Sequence, residues 1–127
     1  MLYAYLALGG VLGTLARFSI GGWVHTWAGA TFPWGTLAIN LLGSFLLGLA
    51  MRGAELSSLS PELRGMITVG FCGAFTTFST FTFETISLMQ DGAWVRAWLY
   101  AFGSLGLGLM ALALGLSTAN LLLRPGG

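Results

Sequence analysis

The sequence predicts an all-α membrane protein with four transmembrane helices per subunit, and three observations carry that prediction. Hydrophobic residues make up 56% of the chain and charged residues 7%, where a soluble domain has roughly 25% charged. Residues 18–51 contain no Asp, Glu, Lys or Arg. As one helix at ~1.5 Å per residue that run would reach ~50 Å, too long for a hydrocarbon core of ~30 Å, so it must break. Finally, at about 20 apolar residues per span, four spans nearly exhaust 127 residues. We place them at 2–23, 33–51, 63–90 and 94–122 of a single membrane domain covering 1–127. So short a bundle has little room for an interior site, which favours a homo-oligomer.

The charges exclude several functions. The chain has no lysine, so neither a Walker A lysine nor Schiff-base chemistry is available. A net charge of +1 leaves no nucleic-acid footprint. Cys72 is the sole cysteine, so no intrachain disulfide forms. The N-terminus lacks the basic region of a cleaved signal peptide, and the first span is read as retained.

In the first span Gly9 and Gly13 form a GxxxG pair that lets backbones approach closely. Arg17 follows near the far end. It can snorkel to the interface or pair with an acid or a helix C-terminus inside the bundle. The break comes at 28–33, between Gly29 and Pro33, where Trp23, Trp27 and Trp34 suit an interfacial aromatic belt. His25 falls in that belt, and one histidine cannot build a metal site. In the second span Thr36, Asn40, Ser44 and Gly48 recur every four residues, a polar or small row along one face. A carboxamide at the depth of Asn40 costs free energy unless it is bonded. Ser60, Pro61 and Glu62 supply an N-cap, a first-position proline and a first-turn acid for the third helix.

The third span carries the most informative stretch, GFCGAFTTFSTFTFE at 70–84. Polar groups at this depth must be satisfied internally or line a wet cavity, so the stretch is an inter-helix seam or a pathway. Helical spacing puts Gly73, Thr76, Thr80 and Glu84 on one stripe and Phe71, Phe75 and Phe78 on another. Gly70 and Gly73 beside Thr76 and Thr77 can interrupt the helix, and the freed carbonyls could hold a dehydrated cation. The hydroxyls could instead bond back to their own i−4 carbonyls, and the phenylalanines could simply face lipid. After a turn at 91–96, the fourth span continues the interval of four with Tyr100, Ser104 and Gly108. Arg124 and a disordered-looking Pro-Gly-Gly close the chain. With four spans, Arg52, Arg64 and Arg124 share one side and Arg17 and Arg96 the other. So small a bias under the positive-inside rule predicts insertion in both orientations, and an antiparallel dimer.

The run GFCGAFTTFSTF at 70–81 resembles the signature of the Fluc (CrcB) family of small membrane fluoride channels. GGVLGTLAR at 9–17, PWGTLAINLLGSFLLG at 33–48 and the Tyr100-to-Ser104 spacing extend the resemblance over essentially the whole chain. The resemblance implies a dual-topology antiparallel homodimer with two fluoride pathways and a third span broken near its centre. It implies passive, fluoride-selective export from the cytoplasm that protects against fluoride toxicity, and location in a bacterial or archaeal plasma (inner) membrane.

By the same resemblance Asn40 is the amide donor, and Phe78 and Phe81 are the pore phenylalanines. A ring edge is the positive part of the aromatic quadrupole and attracts a small anion without trapping it. Ser79, Thr80, Thr82 and Glu84 would form a polar track, Tyr100 and Ser104 would add hydroxyls, and Arg17 would stand at the pore entrance. The carbonyls of Gly73 and Thr76 would hold a structural sodium ion at the dimer interface, two residues from each subunit. Gly108 departs from members with a further polar residue there. The competing reading is a small multidrug-type proton-coupled transporter, which needs a membrane carboxylate. The first span has none, and Glu84 lies late in the third. A third reading, a structural subunit whose polar rows serve as glue, predicts no activity alone. Nothing in the sequence argues for an enzyme.

Overall fold

The computed structural model describes residues 1–124; the Pro-Gly-Gly terminus lies outside the described residues. The fold is all-helical. Helix α1 covers Leu2–Ala28 and α2 covers Trp34–Leu56. The third span has two halves, α3 (61–75) and α4 (Phe78–Gln90), and α5 covers Trp94–Leu123. Among the described residues, four helical segments are long and apolar enough to cross a membrane: α1, α2, the 61–90 stretch and α5. The helices run on past the expected membrane spans, α1 to Ala28 and α2 to Leu56.

Glycine sets how closely these helices approach. A Cβ on Gly9 would collide with the Met66 carbonyl, one on Gly13 with the Phe71 carbonyl, and one on Gly70 with the Leu6 carbonyl. Helix α1 and α3 therefore meet backbone to backbone, as the GxxxG pair predicts. The α2–α5 seam uses the same device. Gly48 lies against the Leu112 carbonyl, and Gly115 against the Phe45 carbonyl.

At the start of α3, Ser60 Oγ accepts the Leu63 N–H at 3.3 Å and Pro61 opens the helix. These are the caps that satisfy free N–H groups at a helix start. The middle of α3 is unusual: Met66–Cys72 is a π-helix, seated against the glycine face of α1. Such wide turns are rare and concentrate at functional sites. The helix resumes α geometry at Gly73–Phe75 and then stops. Thr76 (φ −86°, ψ 157°) and Thr77 (φ −146°, ψ 118°) are extended, and α4 starts at Phe78. The glycines do not interrupt the helix; Gly70 lies inside the π run, and the two β-branched threonines leave helical geometry. β-branching favours extended backbone.

Tyr100, Phe75 and Ile39 are the largest fully buried side chains, one each from α5, α3 and α2. Leu, Val, Phe and Trp side chains on the outside are largely exposed, Trp23, Trp27 and Trp34 among them. That is the surface expected of helices bathed in lipid.

Candidate ion pathway around Thr76 and Thr77

Asn40 sits opposite the helical gap. Its Oδ1 accepts the Thr77 N–H at 2.8 Å, and its Nδ2 donates to the Thr77 carbonyl at 3.2 Å. One carboxamide thus satisfies the Thr77 N–H that the gap sets free, which would be costly in lipid unpaired, and adds a donor to the Thr77 carbonyl. One Nδ2 hydrogen remains for another acceptor. The Thr77 hydroxyl caps α4, accepting the Thr80 N–H at 3.2 Å and donating to Thr80 Oγ1 at 3.1 Å.

Arg17 braces the other edge of the gap. Its Nε donates to the Ala74 carbonyl at 3.0 Å, in the last turn of α3. Of the fates open to it, pairing with a helix C-terminus is the one observed, and the charge complements the dipole there. Thr76 Oγ1 bonds back to the Cys72 carbonyl at 3.0 Å, and its N–H goes to the same oxygen at 3.1 Å. Since Thr77 N–H is committed to Asn40, Gly73 O loses its i+4 donor.

The phenylalanine stripe expected across 71–78 does not form. Phe71 and Phe75 stack at 5.7 Å, but the gap resets the helical register after Phe75. Phe78 pairs instead with Phe81 at 6.0 Å, and Phe81 with Tyr100 at 5.0 Å. Phe75 is 1% exposed and Phe78 77%. The line continues through polar groups. Tyr100 donates to Glu84 Oε1 at 3.4 Å, and Thr36 Oγ1 donates to the same oxygen at 2.5 Å. One turn further along α5, Ser104 Oγ is buried without a hydrogen-bond partner among the described residues. A buried hydroxyl with no partner marks a place where a polar guest would be stabilised.

Three cavities surround this framework. An open one of about 610 Å³ is lined by Asn40, Gly73, Thr76, Phe78, Phe81 and Ser104. A cleft of about 210 Å³ on the far side of the gap is lined by Arg17, Thr36, Thr80 and Glu84. Thr77 borders both. A third, of about 410 Å³, holds Tyr100 and shares Ser104 with the first. Ser79 and Thr82 are set apart. Both are exposed, Ser79 Oγ lies 3.5 Å from Thr77 Oγ1, and Thr82 Oγ1 bonds back to the Ser79 carbonyl at 2.9 Å.

Two residues of this framework escape a search for site side chains in the sequence, Thr77 and Thr36. Thr77 had a legible signal, a threonine just before a helix start, the N-cap position. Thr36 belongs to the polar row of α2, but its partner 48 residues away has no local trace. No cluster of three His, Cys, Asp or Glu side chains suited to a metal exists among the described residues.

Comparison with known proteins identifies the family. The family model described as CrcB-like protein, Camphor Resistance (CrcB), matches residues 4–116. A protein of Thermus thermophilus named fluoride-specific ion channel FluC is 51% identical over 113 residues, 89% of each chain. Proteins of the same name from Hahella chejuensis and Acidobacterium capsulatum are 51% and 47% identical, over 94% of this chain and 94% and 97% of theirs. With the family model covering most of the sequence and half the residues shared with such relatives, this chain belongs to the CrcB family.

Proposed function

We infer that this chain is a fluoride-selective channel that lets the anion leave the cytoplasm passively, a transport protein and not an enzyme. One observation carries the reading beyond the relatives' name: Asn40, Phe78, Phe81 and Ser104 line one cavity beside the extended Thr76 and Thr77. Fluoride is small and strongly hydrated, so a pore must replace its water with several donors. The free Nδ2 hydrogen of Asn40, the Ser104 hydroxyl and the ring edges of Phe78 and Phe81 are donors and positive edges of that kind. Beyond them Tyr100, Thr80 and Glu84 continue the polar line, with Arg17 at its entrance. Ser79 and Thr82 stand at its margin.

The open cavity becomes an enclosed pathway if a second copy, inserted antiparallel, covers it. A dual-topology homodimer in the bacterial or archaeal inner membrane is the assembly we propose. The carbonyls of Gly73 and Thr76 fit a structural sodium ion at its centre. Gly73 O has lost its helical donor, Thr76 is extended, both residues border the cavity, and a hard cation takes oxygen ligands. Two carbonyls leave a coordination shell incomplete, and the second copy would supply two more. The multidrug-transporter reading needs a carboxylate free to exchange protons with substrate, whereas Glu84 is engaged by Thr36 and Tyr100.

The test is fluoride efflux from liposomes that contain only this protein, with chloride as control. Fast fluoride loss with little chloride loss is expected. Folded protein that passes neither ion, or both equally, would overturn the reading.

A further inference from the structure

The 210 Å³ cleft holds a titratable side chain that the pathway above does not use. His25 borders it together with Arg17, Thr36 and Glu84. His25 and Arg17 are eight residues apart on α1, about two turns, and between them the cleft is bordered by Phe18, Gly21 and Gly22. Gly21, four residues from each, puts no side chain in line between the imidazole and the guanidinium, and a Cβ on Gly22 would meet open space. His25 itself is exposed. The cleft is therefore a short funnel with the histidine towards solvent and Thr77, Thr80 and Glu84 towards the helical gap.

Formal charges around the funnel are balanced. Helix α1 contributes Arg17, α4 contributes Glu84, and α2 contributes uncharged groups such as Thr36. The Arg96 guanidinium of α5 donates to the Thr31 carbonyl at 2.7 Å and borders the separate 410 Å³ cavity. Asp91, in the turn before α5, is not part of the cleft lining. With a neutral imidazole the cleft holds one positive and one negative formal charge, and an anion gains nothing by entering it. A charged imidazole makes the sum +1. Histidine is the side chain whose charge ordinarily changes between about pH 5 and 8.

We propose that His25 is a positioning residue for anion capture: its protonation makes the Arg17–Glu84 cleft net positive and draws fluoride towards the gap at Thr77. This rests on the channel reading and adds to it a residue that governs capture and not passage. A positive cleft raises the local anion concentration and the on-rate, so the effect falls on half-saturation and leaves saturating flux alone.

The experiment measures fluoride flux against fluoride concentration at pH 6.0 and 7.5, in liposomes with the wild type, His25→Gln and His25→Arg. Protein-free vesicles of the same lipid are subtracted to remove diffusion of undissociated hydrogen fluoride. The wild type is expected to half-saturate at a concentration ~3-fold lower at the acidic pH. His25→Gln should be flat at the higher value, His25→Arg flat at the lower one, and all three should share one saturating flux. The contrast should shrink in high salt, which screens exposed charges. A His25→Gln protein that keeps the wild-type pH profile, or a wild type without one, would overturn the role of His25. A wild type that carries no fluoride at any pH would overturn the channel reading itself.

Discussion

The middle of α3 and the gap that follows it meet their neighbours in opposite ways. Over Met66–Cys72 the helix lies on Gly9 and Gly13 of α1 so closely that no Cβ fits between them. Beyond it, at Thr76 and Thr77, the backbone opens and is held by polar side chains, Asn40 from α2 and Arg17 from α1. The first contact is made of closely approaching backbone; the second is polar and flanked by cavities. The difference teaches how so small a chain keeps irregular backbone inside a membrane. Freed N–H and C=O groups are tolerable only where something polar reaches them, and a rigid seam nearby holds that reach constant. The seam's role is precision, and the gap's role is chemistry.

Five substitutions sharpen or break this contrast. The largest effect is expected from Asn40→Asp. It puts a carboxylate against the Thr77 carbonyl, removes the Nδ2 donor bonded to it, and adds a negative charge to the cavity an anion would cross. Fluoride flux should fall to background in the liposome assay, and undiminished flux would remove Asn40 from the pathway. Gly9→Val tests the seam. A side chain there meets the Met66 carbonyl, which cannot swing away. Overpacking of this kind costs ~1–3 kcal/mol, read as a lower melting temperature and aggregation in detergent. A stable Gly9→Val protein would mean that the seam is looser than the backbone contact implies.

Ser60→Ala removes the cap at the start of α3, far from both regions. It should cost ~1 kcal/mol in thermal stability and leave ion selectivity untouched. The smallest effect belongs to Gly108→Ala on α5. Its Cβ would lie no nearer than 4.0 Å from Ser44 Oγ, whereas the same change at Gly115 would strike the Phe45 carbonyl. Stability should therefore be unchanged at 108 and lowered at 115, measured side by side. Equal losses at both would show that the α2–α5 seam extends further along the helices than Gly48 and Gly115.

Much of this was readable from residues close together in the chain. Low charge and apolar length determined four spans. The Ser60-Pro61-Glu62 run determined where the third begins, and glycine spacing in α1 determined a face of close approach. These signals are local: a cap acts within one turn, and a packing stripe repeats every turn or two. What the tertiary structure decided is which distant groups meet. Asn40 meets the Thr77 backbone across 37 residues, Arg17 meets Ala74 across 57, and Thr36 and Glu84 meet across 48. Each depends on the rotation and axial offset of one helix against another. The π run and the two extended threonines then reset that register, moving Phe78 from the stripe of Phe75 to a partnership with Phe81. A fixed 100° step per residue carries no information past such a gap, which is why the phenylalanine stripe failed there and the caps and spans did not.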